Sequence, residues 1–232
     1  MEKRNPDELG TYLHPTFYID SDNPAVMDFA RAHVRGDTDR ERAISLFRAV
    51  RDGILYDPYD ILLVPEEFKA SRVIARKKGY CVAKAIALAA CARACGIASR
   101  IGFADVKNHL STERLRRLMK TDEFVFHGYT ELFLDGRWIK VTPTFNMSLC
   151  EKFGVRPLEF DGRSDCLFHE YDRRGNRHMQ YIRDHGAFAD VPFDRIVEVF
   201  RRHYPDFFPG DGGPVGGDFA REAQNETSGK DG

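Results

Sequence analysis

The chain has 232 residues, 42% hydrophobic and 12% aromatic, enough to bury a full core as one large domain with an extension. Its 35 basic and 36 acidic residues are interspersed and leave a formal net charge of −1, so no global field draws it to nucleic acid or to an anionic membrane. The opening MEKRNPDELG lacks the apolar core of a signal peptide, no run approaches the roughly 18 apolar residues of a membrane span, and five cysteines without a CxxC suit free thiols. A soluble, cytoplasmic protein is expected.

Residues 11–20 read as an extended arm or strand. Asn23 is placed to cap a short helix with Pro24 at its first position and an end near Val34. Thr38 and Glu41 have capping-box spacing, and Ile44, Phe47, Val50 and Ile54 recur as the apolar stripe of a second helix. Residues 56–64 read as a loop. From Pro65 a further helix is predicted to Lys78, its basic end adding positive potential ahead of the next segment.

That segment, GYCVAKAIALAACARACG at 79–96, is apolar nearly all the way round, with only Lys84 and Arg93 charged. Such a pattern predicts a buried helix, opened after Gly79 and stopped at Gly96, whose small alanines let neighbours come close. Cys81 falls in its first turn, where free N–H groups and the helix dipole favour a thiolate. Cys91 and Cys95 share a face four residues apart; with no His or second Cys pair beside them, core packing is the better reading than a metal pair.

Residues 97–106 then read as a strand, and STERLRRLMK as a short polar surface helix. FVFHGYTELFL, Asp135-Gly136 and RWIKVTPTFN form the strongest kind of hairpin signal. A two-residue type I′ turn would pair Leu134 with Arg137, Glu131 with Lys140, Tyr129 with Thr142 and His127 with Thr144. One face then collects Leu132, Leu134, Ile139, Val141 and Phe145. The other collects His127, Tyr129, Glu131, Thr142, Thr144 and Asn146. Beyond Asn146, a strand at PLEFDG and a hairpin around Gly175-Asn176 should extend the same antiparallel sheet. An amphipathic helix, VPFDRIVEVFRRHYP, should follow, and the Gly-rich, polar stretch 210–232 reads as a disordered tail.

GYC opening a helix, GIASR closing it and HGYTELFLDGRWIKVTPT beyond it together resemble the transglutaminase-like superfamily, over about residues 16–146. The resemblance implies an α+β, papain-like/transglutaminase-core fold: a helical bundle with a central Cys-bearing helix packed on an antiparallel sheet carrying the His. It implies one domain over 1–209, with 147–209 as a C-terminal strand and helix extension. By the same resemblance Cys81 attacks a carboxamide carbon to form a thioester, His127 relays the thiol proton to the leaving amine, and the Cys81 N–H serves the oxyanion. Tyr56 and Tyr59 are candidates for a second oxyanion donor.

Where the family carries an Asp in W-x-x-x-D-P-T, this chain has Trp138 followed by Thr142, Pro143 and Thr144. Thr142 can accept a hydrogen bond from the ring but carries no charge, and Asn146 is a same-face substitute of the kind used in papain-like triads. Gly128 and Tyr129 stand where Ala and Trp are common, and Ala98 replaces a usual Pro. His109, His169, His178 and His185 lie outside the motif. The implied activity is cysteine-dependent acyl transfer or hydrolysis on a peptide or protein substrate, with no cofactor or metal. The competing reading is a binding protein that keeps the groove and has lost the acid; metal-dependent hydrolysis would need a ligand cluster that this sequence does not show.

Overall fold

The alanine-rich segment becomes the helix on which the others pack. In the computed structural model, which describes residues 9–108, 111–167, 179–209 and 215–228, helices α1 (Pro24–His33), α2 (Asp39–Gly53) and α3 (Ala70–Arg76) all contact α4 (Cys81–Ala94). Every residue of α4 from Cys81 to Arg93 is buried, because small side chains on all sides leave room for several neighbours at once. Asn23 caps α1 through a 3.0 Å bond from the Ala25 N–H, and Thr38 and Glu41 close a capping box on α2.

The two charges on α4 are buried as connectors. Lys84 Nζ donates to the carbonyls of Arg51 and Ile54 at 2.8 and 2.5 Å, groups left over where α2 ends, so it ties the two helices together. Arg93 does the same at the other end, donating to the carbonyls of His14, Ser99 and Ala189. Either side chain without these acceptors would leave a desolvated cation in the core.

The second layer is an antiparallel sheet in the order β5-β4-β3-β6, made of β3 (Ser99–Asn108), β4 (Glu123–Leu134), β5 (Arg137–Val141) and β6 (Met179–Phe188). A two-residue parallel pair, β1 (Leu55–Tyr56) with β2 (Lys78–Gly79), leads the chain into α4. The hairpin forms in the expected register: Asp135 and Gly136 have φ of 50° and 82°, as a type I′ turn requires, and Leu134 pairs with Arg137 and Glu131 with Lys140. Leu132, Leu134, Ile139 and Val141 enter the main core, where the Thr130 hydroxyl also bonds the Ala85 carbonyl of α4 at 2.8 Å.

Several expectations are corrected. The ladder between β4 and β5 ends at Thr130–Val141, because the Thr142 N–H turns to the Cys166 carbonyl at 2.9 Å; the pairs Tyr129–Thr142 and His127–Thr144 do not form. Tyr129, from the polar side of the expected hairpin, is fully buried: it packs with Ala104, Val106 and Met179 in a second cluster beneath the Lys140–Asp184 ion pair. Residues 11–20 form turns and bends rather than a strand, and the helix expected from Pro65 divides into a 3₁₀ turn, Pro65–Phe68, and α3, stopped by left-handed Lys77. Helix α5 (Glu113–Met119) buries Leu115 and Met119 instead of lying on the surface.

Helix α6 (Met147–Phe153) follows directly on Asn146, PLEFDG is irregular, and the turn at Gly175-Asn176 lies outside the described residues, as do His109, His169 and His178. β6 does extend the sheet, on the free edge of β3. After α7 (Phe193–His203), the expected disordered tail contains helix α8 (Phe219–Ser228). A polar composition concealed its apolar anchors: Phe219 packs against Tyr56 and Phe153 at ring distances of 5.5 and 5.6 Å, and Ala223 is fully buried beside the same core. No helix among the described residues is long and apolar enough to cross a membrane.

Candidate active site

Cys81 and His127 line the same cavity, between the first turn of α4 and the outer half of β4. Two local features bring them there. Gly128, next to the histidine, lies so close to α4 that a Cβ would sit 2.7 Å from the Cα of Val82, so the strand rests directly on the helix start. Just before His127, β4 carries a bulge: Ala104 pairs with His127 and Val106 with Phe124, leaving Val125 and Phe126 opposite Asp105 alone, with Phe126 at φ 53°.

The two N–H groups freed by the bulge are both satisfied. The Tyr204 hydroxyl accepts from the Val125 N–H at 2.6 Å and donates to the Glu123 carbonyl at 3.0 Å. The Asp105 carboxylate accepts from the Phe126 N–H at 3.0 Å and bonds the Nε2 of His185 at 2.8 Å, which gives that histidine a structural place. The bulge is thus held from both sides, and with it the position of His127.

Both side chains are buried, Cys81 at 7% and His127 at 5% exposure. Burial pushes the Cys81 thiol up to about 11, although the N–H groups of Gly128, Val82 and Cys81 itself pull the other way. The thiolate expected from the helix N-terminus is therefore not the resting form; desolvation outweighs the dipole and the local donors. Burial likewise drives His127 down to about 3, so at neutral pH a neutral thiol faces a neutral imidazole. α4 starts at Tyr80 without a side-chain cap, which leaves first-turn N–H groups to meet a developing oxyanion.

The expected third members do not hold the imidazole. Thr142 is 1% exposed, and its Oγ1 makes no hydrogen bond among the described residues. With β5 ending at Val141, its backbone is held by Cys166 rather than across from Tyr129. Asn146 accepts from the Tyr56 N–H at 3.0 Å and donates to Ser148 Oγ at 2.8 Å, so it fixes the loop that presents Tyr56 and sits at the N-terminal boundary of α6. Of the two tyrosines considered for the oxyanion, Tyr56 lines the cavity, whereas Tyr59 donates to Glu222 at 2.9 Å.

Residues outside the motif complete the wall. Tyr80 lines the cavity with a buried hydroxyl that has no hydrogen-bond partner among the described residues. Tyr204, Phe207 and Phe208 close it from the segment that follows α7. Tyr80 was open to notice, since it stands beside Cys81 in GYC; nothing local in the sequence connects residues past 200 with the cysteine.

The sequence profile described as the Transglutaminase-like superfamily matches residues 28–143, half of the chain, and that span includes both Cys81 and His127. The chain belongs to the transglutaminase-like superfamily. Its α+β architecture, a helical bundle with the cysteine-bearing helix against an antiparallel sheet, accords with that membership. Among solved structures it is similar to a candidate cysteine protease from Cytophaga hutchinsonii, at 17% identity and a TM-score of 0.47, over 61% of this chain and 43% of that one. The chain thus spans less than half the length of that relative. No curated protein matches it. Thr142 lies within the matched residues, whereas the aromatic wall at Tyr204, Phe207 and Phe208 lies beyond them.

Proposed function

We propose that this protein is a cysteine-dependent acyl-transfer enzyme that works through a thioester, with a carboxamide as its acyl donor. The observation that supports this most strongly is the shared cavity of Cys81 and His127, with Gly128 seating the histidine strand on the cysteine helix. As the sulfur attacks the acyl carbon, the S–C bond forms and the thiol proton passes to the His127 ring. The carbonyl electrons move onto oxygen, where the first-turn N–H groups of α4 can receive them. Collapse breaks the bond to the leaving group, which takes the proton from His127. Water then attacks the thioester, its proton passing by way of His127 to the sulfur, and the acid is released.

Because burial keeps the cysteine protonated, His127 acts as general base during attack and not as half of a preformed ion pair. The same two shifts, with Thr142 in the acidic position, favour a second reading: a binding protein that retains the groove without turnover. Exposure to p-nitrophenyl acetate separates the two. The enzyme reading expects one equivalent of p-nitrophenol in a burst, an acetyl group on the Cys81 peptide, no burst in Cys81→Ala and a burst slowed at least a hundredfold in His127→Ala. Acetylation spread slowly and evenly over the five cysteines would leave the binding reading.

A further inference from the structure

The cavity beside the sulfur carries information about the acyl group. It measures about 40 Å³, space for about three water-sized groups. Apart from Cys81 and His127, its walls are apolar side chains and tyrosines, and among the described residues that line it none is Lys, Arg, Asp or Glu. Leu115 and Met119 of α5 supply one part of the wall, and Phe200 of α7 with Phe207 and Phe208 beyond it supply another. Tyr204 belongs to the same wall, but its hydroxyl is committed to the backbone of Glu123 and Val125.

We infer that the acyl group taken up by Cys81 is a short aliphatic one, with about three carbons beyond the carbonyl, selected by the wall that α5 and the C-terminal segment build. This rests on the acyl-transfer reading above and specifies its substrate class. Each methylene that leaves water for this wall favours the complex, whereas a carboxylate would be buried without a cation, and the N–H and C=O of a peptide backbone would have only the Tyr56 and Tyr80 hydroxyls to share. Beyond its carbonyl a glutaminyl residue has Cγ and Cβ, and its Cα takes the third place. Its backbone N–H and C=O are then drawn against a wall made mostly of phenyl rings and aliphatic chains, so a glutaminyl peptide is a poor donor here. Met119 and Phe208, both part of that wall, are specificity-determining rather than catalytic residues.

The test uses the full-length chain and a series of p-nitrophenyl esters, with the Cys81→Ala rate subtracted. From acetate through propanoate to butanoate, kcat/KM rises about fourfold per methylene. It falls again at octanoate, and the succinate hemiester stays at least tenfold below butanoate. Met119→Ala moves the optimum to a longer chain, and a glutaminyl-glycine amide gives less acyl-enzyme than butanamide. A flat series, a preference for succinate or better acylation by the glutaminyl peptide would overturn the inference while leaving acyl transfer in place. Absence of Cys81-dependent release with every ester would overturn acyl transfer itself, and the inference with it.

Discussion

Gly128→Ala probes the seat on which the reacting pair depends. The new Cβ would stand 2.7 Å from Val82 Cα and 2.9 Å from Val82 Cγ2, both in a helix that is packed all round. Ordinary carbon contacts lie at about 3.5–4 Å, so strand and helix must separate by about 1 Å. Overpacking of this kind costs about 1–3 kcal/mol, and a misplacement of about 1 Å at a reacting pair costs on the order of a hundredfold in rate. Urea denaturation should show a lower midpoint at an unchanged slope, and Cys81 acylation should be about a hundredfold slower. Gly102→Ala is the control: its Cβ would press on the Tyr129 ring at 2.2 Å, on the far side of the sheet, so stability falls while acylation stays close to the parent rate. If Gly128→Ala matched the parent in both midpoint and rate, the close approach would not be what positions His127.

Thr142→Val removes a buried hydroxyl that makes no hydrogen bond among the described residues; it should leave acylation unchanged and stability equal or higher by about 1 kcal/mol, whereas a large loss of acylation would restore Thr142 to the site. His127, held down to about 3 in the folded state, binds no proton between there and its unfolded value near 6.5, where the unfolded chain does; stability therefore declines as pH falls through that window. Between pH 7 and 4.5 the parent should lose about 2 kcal/mol more than His127→Gln, and equal losses would contradict a neutral buried imidazole. In His127→Ala, Cys81 acylation should climb tenfold per pH unit toward about 11, while the parent, whose base is already deprotonated, stays level from pH 5 to 9. Tyr204→Phe strips the acceptor from the Val125 N–H, costing about 1–3 kcal/mol, and it should speed alkylation of Cys81 but not of fully buried Cys91; faster reaction of both would signify general unfolding instead of an opened wall.

Elements with local signatures were legible. The Thr38–Glu41 box, the all-apolar α4 and the Asp135-Gly136 turn each carry their cause within a few residues, and the turn alone set the β4–β5 register. What escaped depends on distant partners. The bulge at Val125 and Phe126 exists because Asp105 and Tyr204 come from elsewhere to take its N–H groups, and the departure of Thr142 from the ladder depends on Cys166. The direction of the cysteine's shift was misjudged for the same reason: the helix start is visible in GYC, but the aromatic wall that dries it comes from residues beyond 200. α8 was missed because two apolar residues, Phe219 and Ala223, anchor a largely polar stretch.

The central claim is that sulfur and imidazole meet, and a bifunctional alkylating agent measures that meeting directly. After treatment with 1,3-dibromoacetone and proteolysis, mass analysis should find Cys81 and His127 joined through one acetone bridge, with the bridge absent from Cys81→Ala and His127→Ala. Reagent attached to Cys81 at one end only, or bridging it to any other side chain, would contradict the pairing and the acyl-transfer chemistry built on it.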